Sequence, residues 1–252
     1  MTTPPSNRPR ALQLLVAPAL VLLLLGCAPQ PAAQQEAAPS APMPGNAVRE
    51  APSPAPAASV RKPANVMSHE GAAWLEREGR EEAERPDIVI AAMDLRPGLT
   101  VAEIGAGTGW YTRRIAPAVA PGKVYAVDIQ PEMLELLKTK YSPGIPNIVT
   151  VLGTDTDPRL PAGSVDRMLM VDVYHEFQKP REMLASLRKA LAPGGTITVV
   201  EYRLEGETAS HIYVDHRMSV EQVLAEWTPA GFELVERIET LPSQHLFVFR
   251  AR

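Results

Sequence analysis

One stretch constrains this chain more than any other: "VAEIGAGTGWYTRR", residues 101 to 114. An apolar run with strand character breaks into Gly105, Gly107 and Gly109, and a segment of helical pattern follows. A turn of this kind brings bare backbone close to a ligand, and the free amides at the helix start favour anionic groups. Glycines alone do not choose the ligand. The dinucleotide fingerprint G-x-G-x-x-G needs a small third residue for helix packing. Counting from Gly107, that place is taken by Trp110, which weakens the dinucleotide reading.

The rest of the chain from residue 67 alternates strand-like and helix-like segments, the pattern of an α/β sheet covered by helices on both faces. "SHEGAAWLERE" starts with a potential N-cap, Ser68, and "RPDIVIAAMDL" places Pro86 at a helix start, where a missing amide costs little. Strands are expected at "LTVAEI", "GKVYAVDI", "NIVTVL", "SVDRMLMVDVY" and "TITVVEY", with helices between them. After the helical "VEQVLAEWTPAGF", with Ser219 as N-cap, "FELVERIET" and "QHLFVFRAR" alternate like a terminal antiparallel pair.

The second strand, "VYAVD", ends on Asp128, 19 residues past Gly109. A carboxylate at that place can accept both hydrogen bonds of a ribose diol. "VAEIGAGTG" followed by "VYAVDIQPEML" resembles the class I S-adenosylmethionine-dependent methyltransferases. The likeness continues through "VLGTDTD", "GSVDRMLMVDVYHEF" and "LRKALAPGGTITVVE", and covers residues 86 to 251. It implies a Rossmann-like, seven-stranded, mostly parallel sheet with helices on both faces and a reversed last strand. It also implies S-adenosylmethionine as cofactor. Gly105, Gly107 and Gly109 would wrap its methionine part, and Glu103 would orient the loop and approach its ammonium. Asp128 would bind the ribose hydroxyls, and Ile129 would lie against adenine. Asp155 would meet the adenine amino group, with Thr154 and Thr156 as neighbouring alternatives, since this loop departs from the usual "G-D-A" form. Asp172 would face the same crevice.

Methyl transfer from a sulfonium needs an aligned nucleophile more than covalent catalysis. If the acceptor is a hydroxyl or an acidic carbon, a base helps. "DVYHEF" follows the fourth strand on the edge where such sheets bind ligands, and His175 is the candidate catalytic residue because its pKa lies nearest neutrality. A structural histidine capping the strand is the competing expectation. Tyr174 is expected as pocket wall and Glu176 as solvated or structural. His69 and Trp74 could lie on a lid, or Trp74 could dock an amphipathic helix. His211, His216 and Arg217 fall where this family often builds its acceptor pocket.

Composition narrows the acceptor. The formal net charge is −4, and no basic stripe suits a phosphate backbone. Cytosine C5 methylation needs a nucleophilic cysteine, and the only cysteine, Cys27, is read below as a lipid-attachment site. An Asn- or Asp-Pro-Pro-Tyr segment, typical of base amino-group methylation, is missing from "DVYH". Nucleic acid is therefore not expected, leaving a small-molecule, lipid-like or protein acceptor. No set of Cys and His has metal-ligand spacing, so no metal is expected either.

The N-terminal part reads differently. Arg8 and Arg10 precede an apolar run from Ala11 to Leu25, shorter than the ~20 residues of a membrane-spanning helix. "Leu24-Leu25-Gly26-Cys27" resembles the lipobox of bacterial lipoprotein signal peptides, which implies lipidation of Cys27 and a membrane association through that anchor alone. In a Gram-negative cell Ala28 would favour the outer membrane. Residues 1 to 26 are thus expected as signal peptide, 27 to 66 as a disordered Ala/Pro-rich tether, and 67 to 252 as the methyltransferase domain. Loss of the signal removes two arginines and no acids, moving the net charge from −4 to −6. Two alternatives accompany this reading: a non-catalytic lipoprotein that binds S-adenosylmethionine or a nucleoside, and translation from Met67.

Overall fold

The computed structural model describes residues 61–141, 143–206 and 209–252. Cys27, the expected signal and most of the expected tether lie outside those residues. Among the described residues no helix is long and apolar enough to cross a membrane.

Seven strands form one sheet: β1 (Val101–Ile104), β2 (Val124–Asp128), β3 (Ile148–Leu152), β4 (Val165–Val171), β5 (Leu191–Tyr202), β6 (Phe232–Ile238) and β7 (Gln244–Ala251). Their order is β3-β2-β1-β4-β5-β7-β6. The first five pair in parallel, and β7 runs antiparallel to both β5 and β6. The mostly parallel sheet with a reversed last strand is as expected. β1 is buried at all four positions because it is the strand where the order turns, flanked by β2 on one side and β4 on the other. Open α/β sheets bind ligands at that switch point, outside the carboxyl ends of the strands.

Among the described residues six α-helices accompany the sheet: α1 (Arg80–Glu84), α2 (Pro86–Ala92), α3 (Thr112–Val119), α4 (Pro131–Tyr141), α5 (Pro180–Ala190) and α6 (Val220–Trp227). Val89 of α2 and Ile115 and Val119 of α3 pack on one apolar core. Leu184 and Leu187 of α5 and Trp227 of α6 pack on another, where Trp227 stacks on Phe249 with centroids 4.4 Å apart. Pro86 is in the first turn of α2, and Ser219 caps α6 in a reciprocal capping box with Gln222. "SHEGAAWLE" forms a 3-10 helix, His69–Glu76, with Ser68 as its N-cap. The helix before β5 ends at Ala190 with Leu191 as its C-cap, so Gly194 and Gly195 are already part of the strand.

The start of the domain moves upstream of residue 67. Arg61 donates to the carbonyls of Tyr174 (2.9 Å) and His175 (2.8 Å) and pairs with Glu226 at 3.0 Å. Ala64 is buried and its amide donates to the His175 carbonyl. Composition assigns these residues to the tether because they contain no bulky apolar side chain. What holds them is polar, and a guanidinium reading two carbonyls leaves no periodic signal.

Candidate active site

A cavity of about 600 Å³ opens at the carboxyl ends of β1, β2 and β4. The loop after β1 supplies Gly105 and Gly107, the end of β2 supplies Asp128 and Ile129, and the loop after β3 supplies Thr154 and Asp155. Asp172 and His175 come from the end of β4. These expected residues share one wall system. Two others do not reach it. Glu103, expected near a ligand's ammonium, is buried beneath the loop, accepts from the Thr112 hydroxyl and does not line the cavity. Burial pushes its carboxyl up to about 8, against the Thr112 hydrogen bond and the Arg80 charge. Gly109 faces α4 instead. A Cβ there would lie 2.7 Å from Leu137 Cγ, so this glycine admits a helix, not a ligand.

Gly107 has φ +53° and lies against the 3-10 helix His69–Glu76, where a Cβ would meet Leu75 Cδ1 at 2.7 Å. Its amide donates to Asp128 Oδ2 at 2.8 Å, and the Gln130 amide donates to Oδ1 at 2.9 Å. Asp128 therefore ties the glycine loop to the end of β2, with burial raising its pKa and these amides working against the rise. Each oxygen keeps a lone pair for a further donor. Ile129 is 44% exposed, an apolar side chain left open at the mouth. Asp155 pairs with Lys179 at 2.7 Å on the rim.

Asp172 sits in the left-handed region at φ 52°, a conformation that costs a non-glycine residue free energy and is often kept at functional sites. Its Oδ2 accepts from Gln244 at 2.7 Å, while its Oδ1 is buried without a partner among the described residues. Burial, then the nearby Glu84 and Glu201, hold this carboxyl well above the usual range.

His175 is buried, and its Nδ1 lies 2.6 Å from Glu201 Oε2. The other Glu201 oxygen accepts the amides of Tyr174 and His175. Its Nε2 lies 3.0 Å from Nδ1 of His216, which stands on the 3-10 turn Val214–His216. Burial works against the His175 cation, but Glu201 outweighs it and its pKa is raised. Burial, then the His175 charge, lower that of His216. Glu176 also lines the cavity; its Oε1 accepts the Met67 amide at 3.0 Å, and burial pushes it up to about 7.

One side of the cavity comes from the segment that precedes β1. Trp74 meets His211 edge to face, centroids 5.5 Å apart, and both line the cavity. Arg80, nearly buried, pairs with Glu84 at 3.0 Å and lies 4.2 Å over the Trp110 ring. His69 is not on this cavity, and Arg217 is turned to the carbonyls of Ala209 and Ile212. Sequence reasoning missed Arg80, Glu84 and Glu201; Glu176, expected as solvated or structural, is held by the Met67 amide and lines the cavity. One signal was available: an acid at the end of the apolar run "TITVVE" must be paired if that strand is buried.

Residues 101–195 match the family model described as "Methyltransferase domain". The protein-L-isoaspartate O-methyltransferase of Pyrococcus horikoshii is 31% identical over 113 residues, which is 44% of this chain and 48% of that one. An uncharacterized methyltransferase-like protein of Schizosaccharomyces pombe is 32% identical over 126 residues, 47% of each chain. The chain thus spans about half the length of these curated relatives. The crystal structure of a SAM-dependent methyltransferase from Aquifex aeolicus superposes with a TM-score of 0.69 at 23% identity, covering 73% of this chain and 98% of its own. At that identity the likeness establishes the fold, which is the Rossmann-like fold of these methyltransferases.

Proposed function

We propose that this domain transfers a methyl group from S-adenosylmethionine to an acceptor held on the His175 side of the cavity. The observation that carries the reading is the cavity at the switch point, where Gly107, Asp128, Ile129 and Asp172 converge. The donor set fits the cofactor. Asp128 keeps lone pairs for a ribose diol, the open Ile129 suits an adenine face, and the unpartnered Asp172 Oδ1 suits an ammonium. The cofactor's sulfonium supplies an electrophilic methyl. The chain's own work is to bind and orient, because a fixed approach turns a bimolecular encounter into an intramolecular one. Trp74 and His211 narrow access of water from the side built by the segment before β1.

On the acceptor side Glu201 fixes the His175 ring, leaving Nε2 toward the cavity. We assign His175 the contact with the acceptor, which is a small molecule, a lipid-like molecule or a protein side chain. Calorimetry on the purified protein is expected to show S-adenosylmethionine binding and no NAD binding. His175→Ala should then lower methyl transfer ~10²–10⁴-fold with cofactor affinity retained. Cofactor binding without transfer to any fraction of a cell-envelope extract would instead favour the non-catalytic binder.

The same proposal places the domain at the cell envelope on its periplasmic side, at the outer membrane in a Gram-negative cell, held by a lipid on Cys27. Arg8 and Arg10, the apolar run and "LLGC" support it. A chain started at Met67 would lack Arg61 and Ala64, which pack on the domain. Cys27→Ser should leave the precursor uncut and free of labelled fatty acid; a wild-type N-terminus at Met67 would overturn the anchoring.

A further inference from the structure

We propose that His175 Nε2, His216 Nδ1 and the Glu176 carboxylate form a binding site for a divalent transition-metal ion, zinc by its donor set, on the acceptor side of the cavity. One potential ligand atom from each lies within 4.8 Å of the other two, and all three residues line the cavity. Two imidazole nitrogens bound tetrahedrally at ~2.0–2.1 Å from zinc lie roughly 3.3 Å apart. The observed nitrogens are 3.0 Å apart, so the pair needs to open by only a few tenths of an ångström.

The supporting contacts are those a metal site needs. A ligating histidine usually gives its other ring nitrogen to a carboxylate, which fixes the ring and its tautomer. Glu201 does this for His175 at 2.6 Å, and it is fully buried and pinned by two backbone amides, so it cannot turn away. With Nδ1–H committed to Glu201, the lone pair of His175 is on Nε2, facing His216. Glu176 is steadied in the same way, one oxygen accepting the Met67 amide and the other left over. Two imidazoles and one carboxylate occupy three positions and leave the cavity side open, the arrangement of a catalytic rather than a structural zinc site.

The three ligands come from two segments about 40 residues apart, with no Cys and no short His-x-His spacing, which is why sequence patterns do not reveal them. The alternative occupant of the 3.0 Å gap is a proton, shared between the two imidazoles. A proton would explain the two histidines, but it gives no role to a carboxylate held beside them. With zinc bound, the Nε2 lone pair of His175 would be taken by the metal, so the contact with the acceptor would pass through the zinc. The zinc would lower the pKa of an acceptor oxygen held there, with the proton passing to water. This last role rests on the methyl-transfer reading; the metal site does not.

The test uses the full-length protein, stripped with chelator and titrated with zinc, then with cobalt(II) as a coloured substitute. One equivalent per chain is expected, with visible cobalt bands that zinc displaces. Glu201→Gln should weaken zinc binding ~10–100-fold although it touches no metal, the usual cost of losing such a support. His216→Ala should abolish the cobalt bands; His216 is only half-buried, so this variant keeps the site testable if substitutions at His175 do not fold. Circular dichroism checks folding of each. Failure to bind one equivalent, or unchanged bands in folded His216→Ala, overturns the metal site. Zinc binding without S-adenosylmethionine binding would leave the metal site standing and remove the methyl-transfer reading, and the reverse result would do the opposite.

Discussion

The two ends of the cavity are built by different means. At the β1–β2 end, Gly105 and Gly107 act through backbone shape, and the main contact, from the Gly107 amide to the Asp128 carboxylate, spans 21 residues. At the β4–β5 end, Glu201, His175, Glu176, His216 and Arg61 act through side chains that meet across separations of up to 114 residues. A site made of backbone tolerates little at each position because no side chain can yield. A site made of side chains instead fails by leaving buried polar groups without partners.

The largest effect is expected at the backbone end. Gly107→Val places a branched side chain at φ +53° and against Leu75, so the loop must move and S-adenosylmethionine binding should fall below detection by calorimetry. Retained binding in this variant would break the contrast, because the loop would then be no more exacting than a side-chain contact.

What was legible in the sequence follows the same division. Strand, glycine turn, helix and the carboxylate ending the next strand are consecutive, so the β1–α3–β2 unit could be read with its fold class, as could the terminal antiparallel pair. Gly109 could not be placed from sequence, because a positive φ looks the same there whether the missing Cβ makes way for a ligand or for Leu137 of α4. Glu103 precedes the glycines, and its spacing says nothing about whether it turns to the cavity or to Thr112. Arg80 and Glu84 sit in a charged run that resembles a solvated face. Only tertiary packing on Trp110 and Tyr111 shows that they are interior.

A second, somewhat smaller effect concerns the buried acid of the backbone end. The Glu103 pKa rises on folding from 4.5 to about 8, so the folded state binds this proton more tightly than the unfolded chain. Its contribution to stability is whole below pH 4.5 and is lost as pH rises through about 8. Between these limits stability should fall by at most ~1.4 kcal/mol per pH unit on its account. Urea midpoints at pH 5, 6.5 and 8 measure it, and the comparison is with Glu103→Gln, since Glu176 and Asp172 also carry raised values. The Gln variant should show a shallower fall. Parallel curves would mean that Glu103 is ionised in the fold, and the backbone end would then hold a charge that the packing around it does not suggest.

The smallest effect sharpens the side-chain end. Arg61 binds two carbonyls of the Tyr174–Glu176 turn, pairs with Glu226 and lies 5.0 Å over the Tyr174 ring. Its side chain is 8% exposed and that of Glu226 18%, so solvent screens the pair only partly. Arg61→Ala removes all of these contacts and should cost ~1–3 kcal/mol, a fall in Tm of several degrees for a domain of this size. The loss should be felt first in the turn that carries His175 and Glu176, where amide exchange of Glu176 and Phe177 should quicken more than that of Gly107. An unchanged Tm and unchanged exchange would make Arg61–Val66 part of the tether after all. Faster exchange confined to the turn would show that the chain leading into the domain holds the acceptor end in shape, while the glycine end keeps its own.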